Sequence, residues 1–199
     1  MWKGKIAVQK IGKSFLGKKV GVWLEIGIVF GLSCLLHFLY DWTGGSVWAG
    51  IFAAANESVW EHAKIISGAY ALVALAEFLI YRPNPRSFWT AKTFGIWFLV
   101  VAVIVFYYLY TAVIGSSGLW VHLISTVVWI ACAAKLAGRI GQNPKWADRW
   151  FTAMIFALLL YVVCYLSFTV NPPHWGLFED PQTGEYGLPV VVGVSTIPV

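Results

Sequence analysis

The stretch from Asn56 to Lys64, Asn-Glu-Ser-Val-Trp-Glu-His-Ala-Lys, carries the side chains best suited to chemistry in this chain. Two carboxylates, Glu57 and Glu61, lie beside the imidazole of His62 and the amine of Lys64, in a sequence that is 59% hydrophobic and only 12% charged. Such groups are costly near lipid, so they usually bind an ion, move protons or pair with one another. The stretch therefore marks a candidate site, with Glu57 or Glu61 as its candidate general base.

The same stretch also fits a purely structural role. Residues Ser58 to Glu61 match a capping box, in which a serine hydroxyl and a glutamate carboxylate satisfy free N–H groups at a helix start. Asn56 is an alternative N-cap. On a continuous helix Glu57 and Glu61 would share one face and repel each other unless Lys64 or a divalent metal lay between them. Capping explains one acidic residue and does not explain the whole group.

Two further histidines lie near the ends of apolar segments. His37 and Asp41 are four residues apart, so on a helix they share a face, and the carboxylate is placed to orient the imidazole. An alternative is that Asp41 simply begins a polar exit turn. His122 opens another apolar segment just after Gly118, where an interfacial role is the alternative to a functional one.

The C-terminal tail is rich in turn formers and aromatic residues. One interpretation is an exposed loop with a turn over residues 180–184. The other is a lid that folds back over the mouth of the bundle and closes the site with His174 and Asp180. Tyr186 belongs to the same tail and is a candidate contributor.

The composition predicts an all-α integral membrane protein. The mean hydropathy of +0.73 over 199 residues is too high for an ordinary soluble domain. The segment from Val47 to Ala55 is too short to cross and predicts a re-entrant or interfacial helix. Five apolar segments are each close to the about 20 residues that a membrane-spanning helix needs, near residues 20–40, 62–81, 93–114, 119–138 and 151–170.

The distribution of lysine and arginine predicts the orientation. The chain has 14 such residues, and all of them except Lys64 fall in the N-terminal arm or in the turns after the second and fourth segments. Cytoplasmic loops are enriched in these residues, which predicts a cytoplasmic N-terminus and an outer C-terminus. The predicted parts are a basic arm over 1–19, a five-helix bundle over 20–170 and an extracytoplasmic tail over 171–199. The net charge of +5 then reports topology, and no nucleic-acid partner is expected.

Three stretches together carry a family likeness. They are Asn56-Glu57-Ser58-Val59-Trp60-Glu61-His62, the preceding His37-Phe38-Leu39-Tyr40-Asp41-Trp42-Thr43-Gly44, and the tail from Pro172-Pro173-His174 to Tyr186-Gly187. In these motifs the chain resembles a family of small bacterial membrane proteins known only as a domain of unknown function. The resemblance covers about residues 25–187 and implies a multi-span protein of the bacterial cytoplasmic membrane. It implies no activity.

The leading hypothesis is a membrane-embedded, metal-dependent hydrolase. The predicted topology places His37, His62 and His122 at the outer end of the bundle, and neutral imidazoles are suitable ligands for zinc. A zinc-bound water would be the nucleophile, with Asp41 orienting one ligand. The substrate would be a lipid or a lipid-linked amide or ester at the outer leaflet, so membrane lipids are the expected partners.

Two other functions stay open at this point. Ionisable residues in a bundle mouth are also typical of a transporter, channel or solute-binding protein. A structural or assembly protein is the third, with small residues such as Gly27 and Gly31 serving helix packing. The motifs of zinc proteases, α/β-hydrolases and phosphate-binding loops are not in the sequence. The oligomeric state is left undetermined.

Overall fold

The computed structural model describes residues 19–115 and 118–188. The basic arm lies outside them except for Lys19, and so do residues 189–199. The described chain folds into six helices, α1 Lys19–Trp42, α2 Val47–Phe52, α3 Val59–Tyr81, α4 Pro85–Ile114, α5 Leu119–Gly141 and α6 Pro144–Val170.

Five of these helices, all except α2, are long and apolar enough to cross a membrane, which confirms the predicted fold class. Two of them, α4 and α6, begin about two turns earlier than the hydrophobic pattern predicts. Pro85 and Pro144 occupy first turns, where a missing N–H costs nothing. Asn84 caps α4 by accepting the N–H groups of Arg86 and Ser87, and Asn143 caps α6 in the same way. Capping thus extends both helices through polar residues.

Helix α3 is the centre of the bundle. Of its apolar window 61% is buried, against 17–28% for the other four spans. Helix α1 packs against α3 and α5, and α4 packs against α3, α5 and α6. Helices α1, α3, α4 and α5 therefore form a closed ring, with α6 outside it against α4. We call the end of the ring near Ser58 the motif end and the other the opposite end.

The short helix α2 lies at the motif end. Its six residues are too few to span, as predicted. Val47, Trp48 and Phe52 on it are exposed, whereas Gly50 is buried and its carbonyl accepts the ammonium of Lys64 at 3.0 Å. One side of α2 is thus fastened to α3, and the other presents apolar side chains outward.

The tail folds back onto the motif end. The backbone N–H of Trp60 donates to the carbonyl of Leu177 at 3.0 Å. The ring of Phe178 packs against those of Trp60 and Phe168, with centroids 5.5 and 5.0 Å away. The start of α3 is therefore covered by the tail.

The opposite end contains a buried ion triad of Glu25, Glu77 and Lys92. The Lys92 ammonium lies 2.6 Å from Glu25 Oε1 and 2.7 Å from Glu77 Oε2. The distribution of lysine and arginine predicts Lys92 in the turn after the second segment, and that prediction is wrong. Because α4 begins at Pro85, Lys92 lies two turns inside the helix and is fully buried.

Candidate metal site in the helix ring

A cavity of about 400 Å³ opens inside the helix ring at the motif end. Its histidine and carboxylate lining comes from four different elements: His37 of α1, Glu57 of the loop before α3, His62 of α3 and His122 of α5. All three histidines predicted as metal ligands therefore line one space. They come together because α1 packs against both α3 and α5 in the ring.

Three of these side chains, His37, Glu57 and His62, form a compact group that we call the His–Glu cluster. Glu57 Oε1 lies 3.9 Å from His37 Nε2, and Glu57 Oε2 lies 3.5 Å from His62 Nε2. One nitrogen or oxygen of each residue lies within 4.8 Å of the others, close enough to hold a metal ion. The side chains are between 31% and 41% exposed, so the cluster is reachable from solution.

The imidazole of His62 is oriented by its own helix start. Its Nδ1 lies 2.9 Å from the backbone carbonyl of Ser58. A carbonyl only accepts, so Nδ1 carries the hydrogen and a neutral ring presents the lone pair of Nε2 toward Glu57. A backbone carbonyl behind the ring is the usual support of a metal-binding histidine.

Glu57 is positioned by the tail. Its backbone N–H donates to Asp180 Oδ2 at 3.1 Å, while Asp180 Oδ1 accepts the N–H groups of Gln182 and Thr183 at 2.7 and 3.3 Å. Burial alone would raise the pKa of Asp180, but these N–H groups favour the charged form and hold the pKa below its ordinary value. The ionised carboxylate of Asp180 thus connects the tail turn to the loop that carries Glu57 by hydrogen bonds.

The rest of the cavity wall is mainly apolar. Ile66, Val103, Phe106 and Trp129 line it from α3, α4 and α5, and Pro181 and Gln182 of the tail turn lie at its motif end. The cavity therefore has an ionisable mouth and an apolar interior.

A model of the family of unknown function DUF6512 matches residues 13–188. The chain belongs to this family. The match confirms the resemblance to a family of unknown function and includes every described element that lines the cavity. A search of curated proteins and a search of solved structures found no match.

In this DUF6512 member Glu61 lies outside the cavity lining. It is 1% exposed, pairs with Lys64 at 2.7 Å and accepts the N–H of Ala55 at 2.6 Å. It serves to attach the loop before α3, so its prediction as general base is a poor fit to the geometry. Glu57 precedes the helix, and the predicted shared face of Glu57 and Glu61 is wrong.

Ser58 is the N-cap of α3 and forms half of the predicted capping box. Its hydroxyl accepts the N–H of Glu61 at 3.3 Å. The reciprocal bond is absent from the described contacts, because the Ser58 N–H donates to Asn56 Oδ1 at 2.9 Å instead. The Asn56 amide also donates to the carbonyl of Gly187 at 3.2 Å. Asn56 and Ser58, like Trp60, therefore build the site without lining the cavity.

Asp41 does not orient His37. Its side chain is exposed, and His37 Nδ1 is a buried atom with no hydrogen-bond partner among the described residues. The predicted hydrogen bond is wrong: both residues lie on α1, but the Asp41 side chain is exposed in the last turn of the helix, whereas His37 Nδ1 is buried. The alternative role, a polar end to the helix, fits.

The tail closes the cavity with its turn and not with its histidine. His174 is exposed and stacks on Tyr186 with ring centroids 4.5 Å apart. Tyr186 in turn donates to Glu179 at 2.9 Å, and this hydrogen bond raises the pKa of Tyr186. His174 and Tyr186 therefore stabilise the outside of the tail, while Asp180 links the tail turn to the loop that carries Glu57. The predicted turn over residues 180–184 is present as well.

His122 occupies the far side of the cavity. Its ring stacks with that of Tyr107 at 6.2 Å, and it is not among the three residues whose ligand atoms lie within 4.8 Å of one another. Sequence reasoning missed the apolar wall and Gln182, for which spacing offers no signal. It also missed the support from the Ser58 carbonyl, although the spacing of four from His62 could have suggested it.

Proposed function

We propose that the His–Glu cluster binds a divalent metal and that the protein is a membrane-embedded hydrolase. One observation carries the proposal: one nitrogen of each of two imidazoles and one carboxylate oxygen lie within 4.8 Å of one another in the mouth of a cavity. A neutral His62 places a lone pair 3.5 Å from a carboxylate oxygen. That arrangement is repulsive until a cation or a proton lies between the two groups.

Zinc suits this ligand set best. Two histidines with one glutamate are the ligands of a major class of catalytic zinc sites, which keep a fourth position for water or substrate. Ligands about 2.0–2.1 Å from a tetrahedral ion lie about 3.3 Å from each other. The two separations between Glu57 and the imidazoles, 3.5 and 3.9 Å, are close to that value, and all three ligand atoms lie within 4.8 Å of one another.

The chemistry follows from the open position toward the cavity. Zinc lowers the pKa of a bound water to about 7 and supplies a nucleophile. Glu57 is then a ligand, and the pairing of Glu61 with Lys64 disfavours Glu61 as the base. His122 and Tyr107 are the remaining titratable groups of the cavity lining, and we assign to His122 the transfer of a proton to the leaving group.

An amphipathic substrate fits the cavity. The volume of about 400 Å³ lies within the usual range for small-molecule sites. The polar cluster would hold an ester or amide, and the wall of Ile66, Val103 and Phe106 would hold an acyl chain. A lipid or lipid-linked amide or ester meets both requirements.

The proposed location is the outer leaflet of a bacterial cytoplasmic membrane. Arg82, Arg86, Lys145 and Arg149 all lie at the opposite end of the ring, which the positive-inside rule assigns to the cytoplasm. The motif end and the cavity mouth then face outward.

The test is the metal content of protein purified in detergent without chelator. We expect about one equivalent of zinc in the wild type and its loss in His37→Gln and His62→Gln. His174→Gln is the matched control, because it changes the same residue type at the same end outside the cavity. If no protein contains metal, or if the metal content is equal in the wild type and all three variants, the proposed site is excluded.

Turnover is a separate measurement. Lipid esters and amides are offered to the zinc-loaded wild type, to protein stripped by chelator and to stripped protein reloaded with zinc. Cleavage that disappears with the metal and returns with it supports the hydrolase. If the protein binds zinc at the cluster but cleaves none of these substrates, the proposed metal site stands and the proposed hydrolase activity is rejected.

Transport of a cation or polar solute is the second candidate. It is favoured by an open cavity at one end of the helix ring and a closed ion triad at the other, as in a pathway with its inner gate shut. Uptake of zinc into proteoliposomes, abolished by His62→Gln, would select transport over hydrolysis.

A further inference from the structure

The ion triad at the opposite end of the ring brings three charged residues together in a dry environment. Glu25 and Lys92 have side chains that are fully buried, and that of Glu77 is 9% exposed. The Lys92 ammonium also lies 4.9 Å from the centroid of the Tyr70 ring. The contacts come from three helices, since Glu25 is on α1, Tyr70 and Glu77 are on α3 and Lys92 is on α4.

The charges of the triad do not balance. Two carboxylates and one ammonium sum to a net charge of −1, and an uncompensated charge in such an environment is strongly unfavourable. Each carboxyl group also has a spare oxygen, Glu25 Oε2 and Glu77 Oε1, which is buried and has no hydrogen-bond partner among the described residues. One added positive charge would balance the cluster.

We propose that the ion triad is a proton-binding site and that Glu77 carries the proton. Lys92 donates a hydrogen bond to Glu25 Oε1 at 2.6 Å, so Glu25 is its ionised partner. Neither oxygen of Glu77 has a hydrogen-bond partner that satisfies the geometry, although Oε2 lies 2.7 Å from the ammonium. Glu77 is also the only member with any exposure, one turn before α3 ends at Tyr81, so protons reach it from that end.

A proton fits this site better than a metal ion does. The ammonium already lies between the two carboxylates, where a metal would have to bind. The rings of Tyr70 and Phe88 surround the ammonium and supply no further anionic oxygen. An anion is disfavoured by the two carboxylates. The site lies at the far end of the ring from the His–Glu cluster and does not depend on metal binding there.

Infrared spectroscopy of the purified protein at neutral pH tests the proposal, because a protonated carboxyl and a carboxylate absorb in different regions. We expect one carboxylic acid band per molecule in the wild type and none in Glu77→Gln, in which Glu25 and Lys92 form a balanced pair. In Lys92→Met both carboxyls lose their counter-charge, and the band area doubles. Glu185→Gln, which changes an exposed tail carboxylate, keeps the wild-type band.

Two further variants locate the proton. Glu77→Asp moves the frequency of the acid band, and Glu25→Asp leaves it close to that of the wild type. If Lys92→Met does not fold, Glu77→Gln still decides whether the triad holds the proton. A wild type without an acid band, or with a band that survives Glu77→Gln, overturns the proposal. A band that moves only with Glu25→Asp overturns the assignment to Glu77.

Discussion

The carboxylate of Asp180 accepts the backbone N–H of Glu57 at 3.1 Å, although the two residues are 123 positions apart in the chain. The bond links the tail turn to the loop that supplies the only carboxylate of the His–Glu cluster. It makes the geometry of the candidate site depend on the tail, and it leads to the first prediction.

Replacing Asp180 by asparagine should cost about 1–3 kcal/mol of unfolding free energy, because an amide cannot satisfy all three N–H groups that the carboxylate accepts. The effect has a pH signature. The folded-state pKa of Asp180 lies below its ordinary value, so its stabilisation is present above that value and is lost as the pH falls through the folded-state pKa. Unfolding in detergent between about pH 3 and pH 7 measures it.

Asp180→Asn should therefore show a weaker loss of stability toward acid than the wild type. Glu185→Gln is the control, since it removes a carboxylate from the same tail whose side chain is exposed. Identical acid profiles for the wild type and Asp180→Asn would contradict the assigned role.

Lys64→Met should destabilise the fold by about 3–5 kcal/mol, because it leaves the Glu61 carboxylate buried without its partner. The double variant Glu61→Gln/Lys64→Met should recover much of this loss, since it removes both charges and keeps an acceptor for the N–H of Ala55. Thermal unfolding provides the comparison, and zinc per folded molecule should be unchanged in the double variant. A fully stable Glu61→Gln protein that binds zinc and has no turnover would show instead that Glu61 acts in catalysis.

Gly95→Ala should cost about 1–3 kcal/mol of unfolding free energy. A Cβ at this position would lie 2.8 Å from the hydroxyl of Tyr70, which is buried over the Lys92 ammonium and has little room to move. Gly31→Ala is the matched control: no atom lies within 4 Å of its added Cβ, and we expect a change within about 0.5 kcal/mol. Equal effects in thermal unfolding would mean that Tyr70 moves freely.

Val103→Trp should shorten the acyl chains that the proposed hydrolase accepts. The larger side chain fills the apolar part of the cavity and leaves the His–Glu cluster in place. We expect unchanged zinc content and about a tenfold lower kcat/KM for long-chain substrates relative to short-chain ones, equivalent to about 1.4 kcal/mol. Val113→Trp is the control, since it lies on the same helix and is 80% exposed. The same chain-length preference in the wild type and Val103→Trp would place the acyl chain elsewhere.

The site was predictable to the extent that it depends on helix ends. His37, His62 and His122 each lie near the end of an apolar segment, and the alternation of span directions brings those ends together whatever the packing. The stretches that carry the family likeness marked the same region. Which carboxylate joins the histidines was not predictable, because α3 begins after Ser58 and Glu57 is therefore free of the helical spacing that would have paired it with Glu61.

The ion triad is a second feature that could not be predicted from the sequence. Lys92 follows two prolines and two arginines in the sequence, and a charged turn was the natural prediction. The helix instead begins at Pro85, and seven further residues carry Lys92 inward to Glu25 and Glu77. Capping by Asn84 and burial against carboxylates from two other helices together decide its place.

By itself, the sequence determined that this is a helical membrane protein with five spans and one end rich in histidine and carboxylate. The reason is that the length and composition of an apolar segment set its free energy of transfer from water into lipid. Only the tertiary structure decided that Glu57 faces the histidines. It also decided that Glu61 and Lys64 pair away from the cavity, and that Asp41 and His174 do not line it. The rotation of each helix about its own axis is set by contacts with partners distant in sequence, such as that between Glu57 and Asp180.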